Sequence, residues 1–297
     1  MLRMRTKLFV PGSRPELFSK AMLSAADAVS FDLEDAVSLD RKSEARQAVG
    51  AFLCEHRAGS EKIVIVRVNP VTSALFAADV AAVVGAGLDV IALPKVESRE
   101  DIKNAVAAIQ SAEKVAGVGR RIEILATIET PKGLRLASEI AGADPRVVGL
   151  QVGFVDLFLP YNIDHEDVVA SQSVRFAVRM AAAEAGIAAF DGAFLNVKNE
   201  PALRAEAERA RRIGYFGKSC IHPAQISVLN EIFSPRAEEI AFASKVLEAA
   251  EHAQARSLGA FTVDGRMVDA PVIESARAVM AMVAKARAGK KKSKDSE

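Results

Sequence analysis

The sequence has no tryptophan and only two tyrosines, and aromatic residues make up 5 % of its 297 positions. That scarcity argues against the stacking platforms on which single-stranded nucleic acids are held. Cysteine is nearly absent as well. Cys54 and Cys220 form neither a disulfide framework nor a metal-ligand spacing, and they suit a reducing, cytoplasmic setting. An excess of charge of one sign is also missing: 39 Lys and Arg against 38 Asp and Glu leave a formal +1. No broad basic field therefore exists to hold nucleic acid or an anionic membrane. No apolar run reaches the roughly 18 residues of a membrane span, and the opening MLRMRTKLFVPGSRP lacks the apolar stretch of a secretory leader. Among four histidines, none stands at a motif spacing from a Ser or Cys, which leaves no hydrolytic triad.

Apolar residues, by contrast, make up 50 % of the chain, enough for a large core. The length fits one large α/β barrel or two ordinary domains. Eight short β-rich runs recur: residues 8–10 (LFV), 28–33 (AVSFDL), 63–68 (IVIVRV), 90–93 (VIAL), 122–128 (IEILATI), 147–152 (VVGLQV), 188–195 (AAFDGAFL) and 214–221 (GYFGKSCI). They begin about 20 to 40 residues apart, the repeat of a βα unit. They are nearly continuous rather than alternating, as in parallel strands buried on both faces. Helical patterns fill gaps at 40–56, 98–115, 130–142 and 165–186, and His222-Pro223 and Ser234-Pro235 each open a further helix. The pattern predicts an α/β TIM (β/α)8 barrel over residues 1–233. A doubly wound open sheet is the rival, but no glycine fingerprint follows the first strand. A C-terminal extension over 234–289 is expected to hold a helix, a hairpin turning at Asp264-Gly265 and a last amphipathic helix over 271–288. The polar 290–297 is expected to be a disordered tail.

Active sites of such barrels lie at the C-terminal strand ends. Those ends hold Asp32, Glu34 and Asp35; Arg67 and Asn69; Lys95; Glu129; Asp156; Asp191 and Asn196; and Lys218 and His222. Carboxylates gathered on one rim repel one another unless a cation joins them. Oxygen ligands favour a hard ion such as Mg²⁺, with Glu129 and Asp156 as the natural pair. The alternative is a helix cap or a structural ion pair. Asp32, Glu34 and Asp35 read as ion-pair partners of rim Arg or Lys. Arg67 fits a clamp on a substrate carboxylate or a developing oxyanion. Lys95 is either a Schiff-base lysine or a partner of the rim acids, and His222 reads as a helix cap.

The stretches LFVPGSRPELFSKA (8–21), FDLEDAV (31–37), RVN (67–69), LPKVE (93–97), IET (128–130), YFGKSCIHPAQI (215–226) and DGRMVDAP (264–271) together resemble the citrate lyase β-subunit-like family, which includes malyl-CoA and citramalyl-CoA lyases. The resemblance implies a homotrimer or a hexamer, with acyl-CoA and 2-oxoacid as its small-molecule partners. It implies Mg²⁺-dependent cleavage of a 3-hydroxyacyl-CoA to a 2-oxoacid and acetyl-CoA, with Mg²⁺ on Glu129 and Asp156. Arg67 would contact the oxoacid and the thioester oxygen. Asp269 would be the acid/base, delivered as a lid by the extension of a neighbouring subunit, and Arg14 and Lys20 would hold CoA phosphates. Family members commonly carry an acid just before the metal Asp, where this chain has Val155, and the stretch that follows here is bulky (Phe158, Leu159, Pro160, Tyr161). A more apolar pocket would favour a methyl-bearing acid, citramalyl-CoA or malyl-CoA type ahead of citryl; the same residues could equally be packing. Two enzyme alternatives stay open: a citrate lyase beta subunit working in a complex, and a metal-dependent aldolase acting on free 2-oxoacids.

Overall fold

The computed structural model describes all residues except 1, 3, 56–61, 86, 256–258 and 295–297, and from residue 285 onward it describes only the helical backbone. The chain divides into two compact units, 1–233 and 234–297.

The first unit is a closed barrel of eight parallel strands in sequence order: β1 (Thr6–Pro11), β2 (Ala28–Asp32), β3 (Ile63–Arg67), β4 (Val90–Leu93), β5 (Glu123–Ile128), β6 (Val147–Val152), β7 (Ala188–Asp191) and β8 (Gly217–Cys220). Helices α1 (Phe18–Met22), α2 (Lys42–Glu55), α3 (Phe76–Val83), α4 (Arg99–Ala116), α5 (Pro131–Arg135), α6 (Ala137–Ala141), α7 (Phe154–Phe158), α8 (Val168–Glu184), α9 (Glu200–Arg212) and α10 (Ala224–Ile232) follow the strands. Closure comes from β1 pairing with β8, Thr6 opposite Lys218 and Leu8 opposite Cys220. This is the predicted TIM barrel.

Each strand is buried on both faces, which explains the unbroken apolar runs. Leu8, Val29, Val66, Ile91 and Ile128 pack outward among the helices. Met4, Ile65, Val90, Leu125 and Phe190 form a second apolar cluster. Phe18, Phe31 and Phe52 meet edge to face at 4.7–5.3 Å and clamp α1 and α2 to β2.

Helix ends follow local chemistry. Ser98 accepts the Asp101 N–H at 3.1 Å, and Gly117 closes α4 at φ 63°. Thr130 accepts the Gly133 N–H at 3.0 Å, with Pro131 at the first helical position. The single helix expected over 130–142 is instead two, broken at Leu136 (φ −104°, ψ 15°); Gly133 weakens the first turn. The helix expected from 165 begins at Val168, because Asp167 is the cap and accepts the Ala170 N–H at 2.7 Å. The run 188–195 is a strand only to Asp191, and 214–221 only over Gly217–Cys220. Helices α1, α3, α7 and α9 were not expected.

The second unit holds α11 (Ala237–Ala255), the hairpin β9 (Phe261–Val263) and β10 (Arg266–Val268), and α12 (Ala270–Lys294). Its own core gathers Ala243, Val246, Val263, Val268 and Ala276. Asp264 (φ 48°) and Gly265 (φ 76°) both take the left-handed conformation that the expected turn requires. The tail expected to be disordered from residue 290 is helical as far as Lys294: after Gly289 the lysine-rich segment has no breaker. Residues 56, 256 and 295–297, the ends of two expected helices and of the tail, lie outside the described residues. Among the described residues no helix is long and apolar enough to cross a membrane.

Candidate active site

Strands β2 to β6 deliver a cluster of charges to one end of the barrel. Arg67, the last residue of β3, forks onto Asp32 at the end of β2, Nε to Oδ1 at 2.7 Å and Nη2 to Oδ2 at 2.6 Å. Asp32 also accepts the backbone N–H groups of Glu34 and Ala36 at 2.9 and 3.1 Å. Burial alone would raise its pKa, but the Arg67 bonds and charge outweigh burial and hold it below the usual range. The other arm of Arg67 lies 2.9 Å from Glu34. The Lys95 ammonium reaches Glu34 at 2.7 Å, Asp156 at 3.5 Å and Asp35 at 3.6 Å. Lys95 is therefore an ion-pair partner of the rim acids. Its partial burial is outweighed by the Glu34 bond and charge, so its pKa is raised rather than lowered, the opposite of what a Schiff-base nucleophile needs.

Glu129, the residue after β5, is almost wholly buried and accepts the backbone N–H of Lys95 at 2.7 Å. Lys95 sits at φ 51°, unusual for a residue with a side chain. Burial first, then the charges of Asp156 and Glu34, push the Glu129 carboxyl up to about 8. A β-carbon at Gly153 would lie 2.7 Å from the Glu129 β-carbon, so glycine lets the backbone just after β6 pass against that side chain. Three residues on, Asp156 stands in the first turn of α7. Asp32, Glu34, Asp35, Glu129 and Asp156 thus make five carboxylates against two full cations, Arg67 and Lys95. That surplus of negative charge, all on hard oxygen donors, fits a divalent cation. Among the described residues no three His, Cys, Asp or Glu side chains form a ready ligand set. Two carboxylates completed by water and substrate oxygens match the way Mg²⁺ is usually held.

Beneath this rim lies a lysine that no sequence motif marks. Lys7 on β1 hydrogen-bonds Gln151 on β6. These strands are not neighbours in the barrel, so the bond crosses its interior. Lys7 also stands 4.2 Å over the Phe9 ring. Burial, then the Arg67 charge, pushes its ammonium down to about 7 from 10.5. Between those two values the unfolded chain holds a proton that the folded chain lacks, so stability should rise with pH across that window. Lys7→Met should flatten the rise, by on the order of 4 kcal/mol over the window. Thermal midpoints of both proteins from pH 7 to 10 would check it. The lost Gln151 bond shifts the variant by a constant and leaves the slope difference intact.

Other rim residues named from the sequence go elsewhere. Asn69 donates to Asp79 at 2.6 Å and accepts from Lys42, a structural tie between β3, α2 and α3. Asp191 and Lys218 pair with each other at 2.6 Å and with Arg175 and Glu206, on the helix side of the barrel wall. His222 Nδ1 accepts the Ala224 N–H at 3.1 Å, as a cap does. Phe158 is buried packing, whereas Val155, Leu159 and Tyr161 are exposed. Arg14 is exposed beside Glu16, and Lys20 is exposed on α1. Asp269 belongs to the second unit, between β10 and α12.

An eight-stranded parallel barrel with acids and an arginine at its strand ends is the framework of a (β/α)8 enzyme. The HpcH/HpaI aldolase/citrate lyase family model matches residues 5–223, and the chain belongs to that family. It is 36 % identical over 278 residues to citrate lyase subunit beta of Haemophilus influenzae, covering 93 % of this chain and 95 % of that one. It is 37 % identical over 278 residues to a (3S)-malyl-CoA thioesterase of Cereibacter sphaeroides, covering 93 % of each. The crystal structure of protein CitE from Mycobacterium tuberculosis with magnesium, acetoacetate and coenzyme A is similar too. The two share 32 % identity and a TM-score of 0.74, over 94 % of this chain and 98 % of that one.

Proposed function

We propose that this enzyme is a Mg²⁺-dependent carbon–carbon lyase that cleaves a 3-hydroxyacyl-CoA of the citramalyl-CoA or malyl-CoA type to a 2-oxoacid and acetyl-CoA. The observation that carries this reading is the surplus of carboxylate over cation around buried Glu129, facing an arginine already oriented by Asp32. Glu129 and Asp156 would hold the metal, which when bound chelates the acid half of the substrate and lowers the pKa of its hydroxyl. The magnesium, acetoacetate and coenzyme A bound by CitE of M. tuberculosis support the same ligand classes here.

In the reaction the substrate hydroxyl would give its proton to water, and its carbon–oxygen bond would become a carbonyl. The adjacent carbon–carbon bond breaks, and its electron pair moves into a thioester enolate. Arg67, always charged and held in place by Asp32, faces that oxygen and stabilises it. Asp269 would return a proton to the enolate carbon, giving acetyl-CoA. It comes from the second unit, so the reading makes it the contribution of a neighbouring subunit in a homo-oligomer, with that unit closing as a lid. Arg14 and Lys20, exposed after β1, would meet CoA phosphates.

Sharing of Asp269 between subunits has a direct consequence. Asp269→Asn alone and Glu129→Gln alone should each be inactive. Mixed oligomers should recover up to about a quarter of wild-type activity, because some sites pair two intact contributions. Reassembling the two variants together and assaying them checks this; no recovery in verified mixed oligomers would place Asp269 outside the shared site.

The substrate is tested by offering malyl-CoA, both citramalyl-CoA enantiomers, β-methylmalyl-CoA and citryl-CoA, with CoA-free hydroxyacids alongside. The 2-oxoacid and the free thiol are followed separately. The reading expects the 2-oxoacid without thiol release. Thiol without 2-oxoacid would mean thioester hydrolysis, as in the C. sphaeroides relative. Cleavage of CoA-free acids alone would mean a free-oxoacid aldolase. Turnover only with an acyl carrier and partner subunits would mean a citrate lyase beta subunit.

A further inference from the structure

Helix α7, which carries Asp156, is five residues long, and a single turn of that length has no stability of its own in water. Its orientation must be imposed from outside. At its start the Gly153 N–H is held by the Ile128 carbonyl at 3.1 Å. On the helix side of the barrel wall, the Arg175 guanidinium from α8 lies 4.5 Å over the Phe154 ring. Gly192, just after β7, closes against the same ring: a β-carbon there would stand 3.3 Å from Phe154 Cδ2.

Arg175 itself has no freedom. Its guanidinium forks onto Asp191 at 2.8 and 3.3 Å, lies 3.1 Å from Glu206 and donates to Gln172 at 3.2 Å. The Tyr215 hydroxyl donates to its carbonyl at 2.9 Å. Lys218 completes the group, donating to Asp191 at 2.6 Å, Glu206 at 2.5 Å and the Gly192 carbonyl at 2.7 Å. Two cations and two acids, on α8, β7, α9 and β8, balance to zero. Arg175, Asp191 and Lys218 are almost wholly buried. Burying four charges is costly when packed apolar residues would fill the same space. What the ionic network adds is direction: it fixes one planar guanidinium at one place and angle.

We propose that Arg175 and Phe154 are positioning residues for Asp156: the buried ionic network fixes the guanidinium, the guanidinium fixes the Phe154 ring, and the ring sets the short helix that aims Asp156 at the site. The proposal rests on the reading of Asp156 as a metal ligand. It predicts that the quality of the metal site depends on a ring at position 154 and on a forked cation at 175, neither of which touches the metal.

The test is Mg²⁺ titration calorimetry on the full-length protein, with thermal midpoints recorded for each variant. Phe154→Leu, which keeps an apolar side chain but loses the ring, should weaken Mg²⁺ binding by about tenfold. Phe154→Tyr, which keeps the ring, should stay within about twofold of wild type. Arg175→Lys, which keeps the charge and loses the fork, should behave like Phe154→Leu; if it does not fold, the pair at position 154 decides. A purely structural role would lower the midpoints of both Phe154 variants without separating their Mg²⁺ affinities. If Asp156→Asn loses Mg²⁺ while Phe154→Leu binds it as wild type does, the positioning role is overturned and the metal reading stands. If Asp156→Asn binds Mg²⁺ normally, both fall.

Discussion

Glu129→Gln and Asp156→Asn are each expected to lower turnover by about a thousandfold or more and Mg²⁺ affinity by about a hundredfold, while the barrel stays folded. The amide at position 129 can still accept the Lys95 N–H, so the left-handed turn at Lys95 keeps its partner. Its removal of charge also relieves a crowded site. The Glu129 carboxyl is pushed up to about 8 by burial and by the charges of Asp156 and Glu34. A group so disfavoured as an anion costs the metal-free fold stability as pH rises from its ordinary value of 4.5 towards 8. The thermal midpoint of Glu129→Gln in EDTA at pH 8 should therefore equal or exceed that of wild type. A carboxylate kept for structure would show the reverse, a lower midpoint with turnover largely preserved. Calorimetry for Mg²⁺, steady-state kinetics and a melting curve on the same preparations separate the two.

The second large effect is expected at Arg67. Arg67→Lys keeps a positive charge but cannot reproduce the fork that meets both oxygens of Asp32 at 2.7 and 2.6 Å while its other arm lies by Glu34. A displaced charge stabilises an enolate oxygen poorly. A loss of about a hundredfold to a thousandfold in kcat is expected, the usual cost of removing one such donor. Mg²⁺ binding should change by less than about threefold, because Arg67 is not a ligand. That split distinguishes Arg67 from Glu129 and Asp156, where kcat and metal affinity fall together. Were Arg67 only a brace for Asp32, Arg67→Lys would lower the melting point and leave kcat per folded molecule near wild type.

Much of this was legible from the chain because barrel strands leave a plain mark. A strand buried on both faces must be apolar throughout, and residues 63–68, 90–93 and 147–152 could hardly be anything else. The acids and the arginine follow from position alone, since residues at or shortly after the C-terminal end of such a run sit on the rim. The roles proposed for Asp269, Arg14 and Lys20 rest on the resemblance, because nothing in spacing points to them.

What was missed has physical reasons. Helix α9 is mostly charged, and its buried stripe of Leu203, Ala207 and Ala210 is too small to stand out as an apolar face. Helix α7 is one turn long and shows no period. The run 188–195 was overextended because Phe194 is apolar yet belongs to the loop; the strand stops where Gly192 presses on the Val152 carbonyl, at 2.9 Å from a β-carbon placed there. Asp191 and Lys218 were placed on the rim because strand order does not reveal the facing of each residue. Strand parity would have turned them outward towards Arg175, and would have turned Lys7 and Gln151 inward as partners across the barrel.

The central claim is that these carboxylates hold a metal on which carbon–carbon cleavage depends. The most direct measurement follows 2-oxoacid release from malyl-CoA and citramalyl-CoA by the wild-type protein with Mg²⁺, after EDTA, and after Mg²⁺ is restored. The account predicts 2-oxoacid and acetyl-CoA in equal amounts from at least one thioester, with turnover lost in EDTA and regained with Mg²⁺. Cleavage that continues undiminished in EDTA would contradict it.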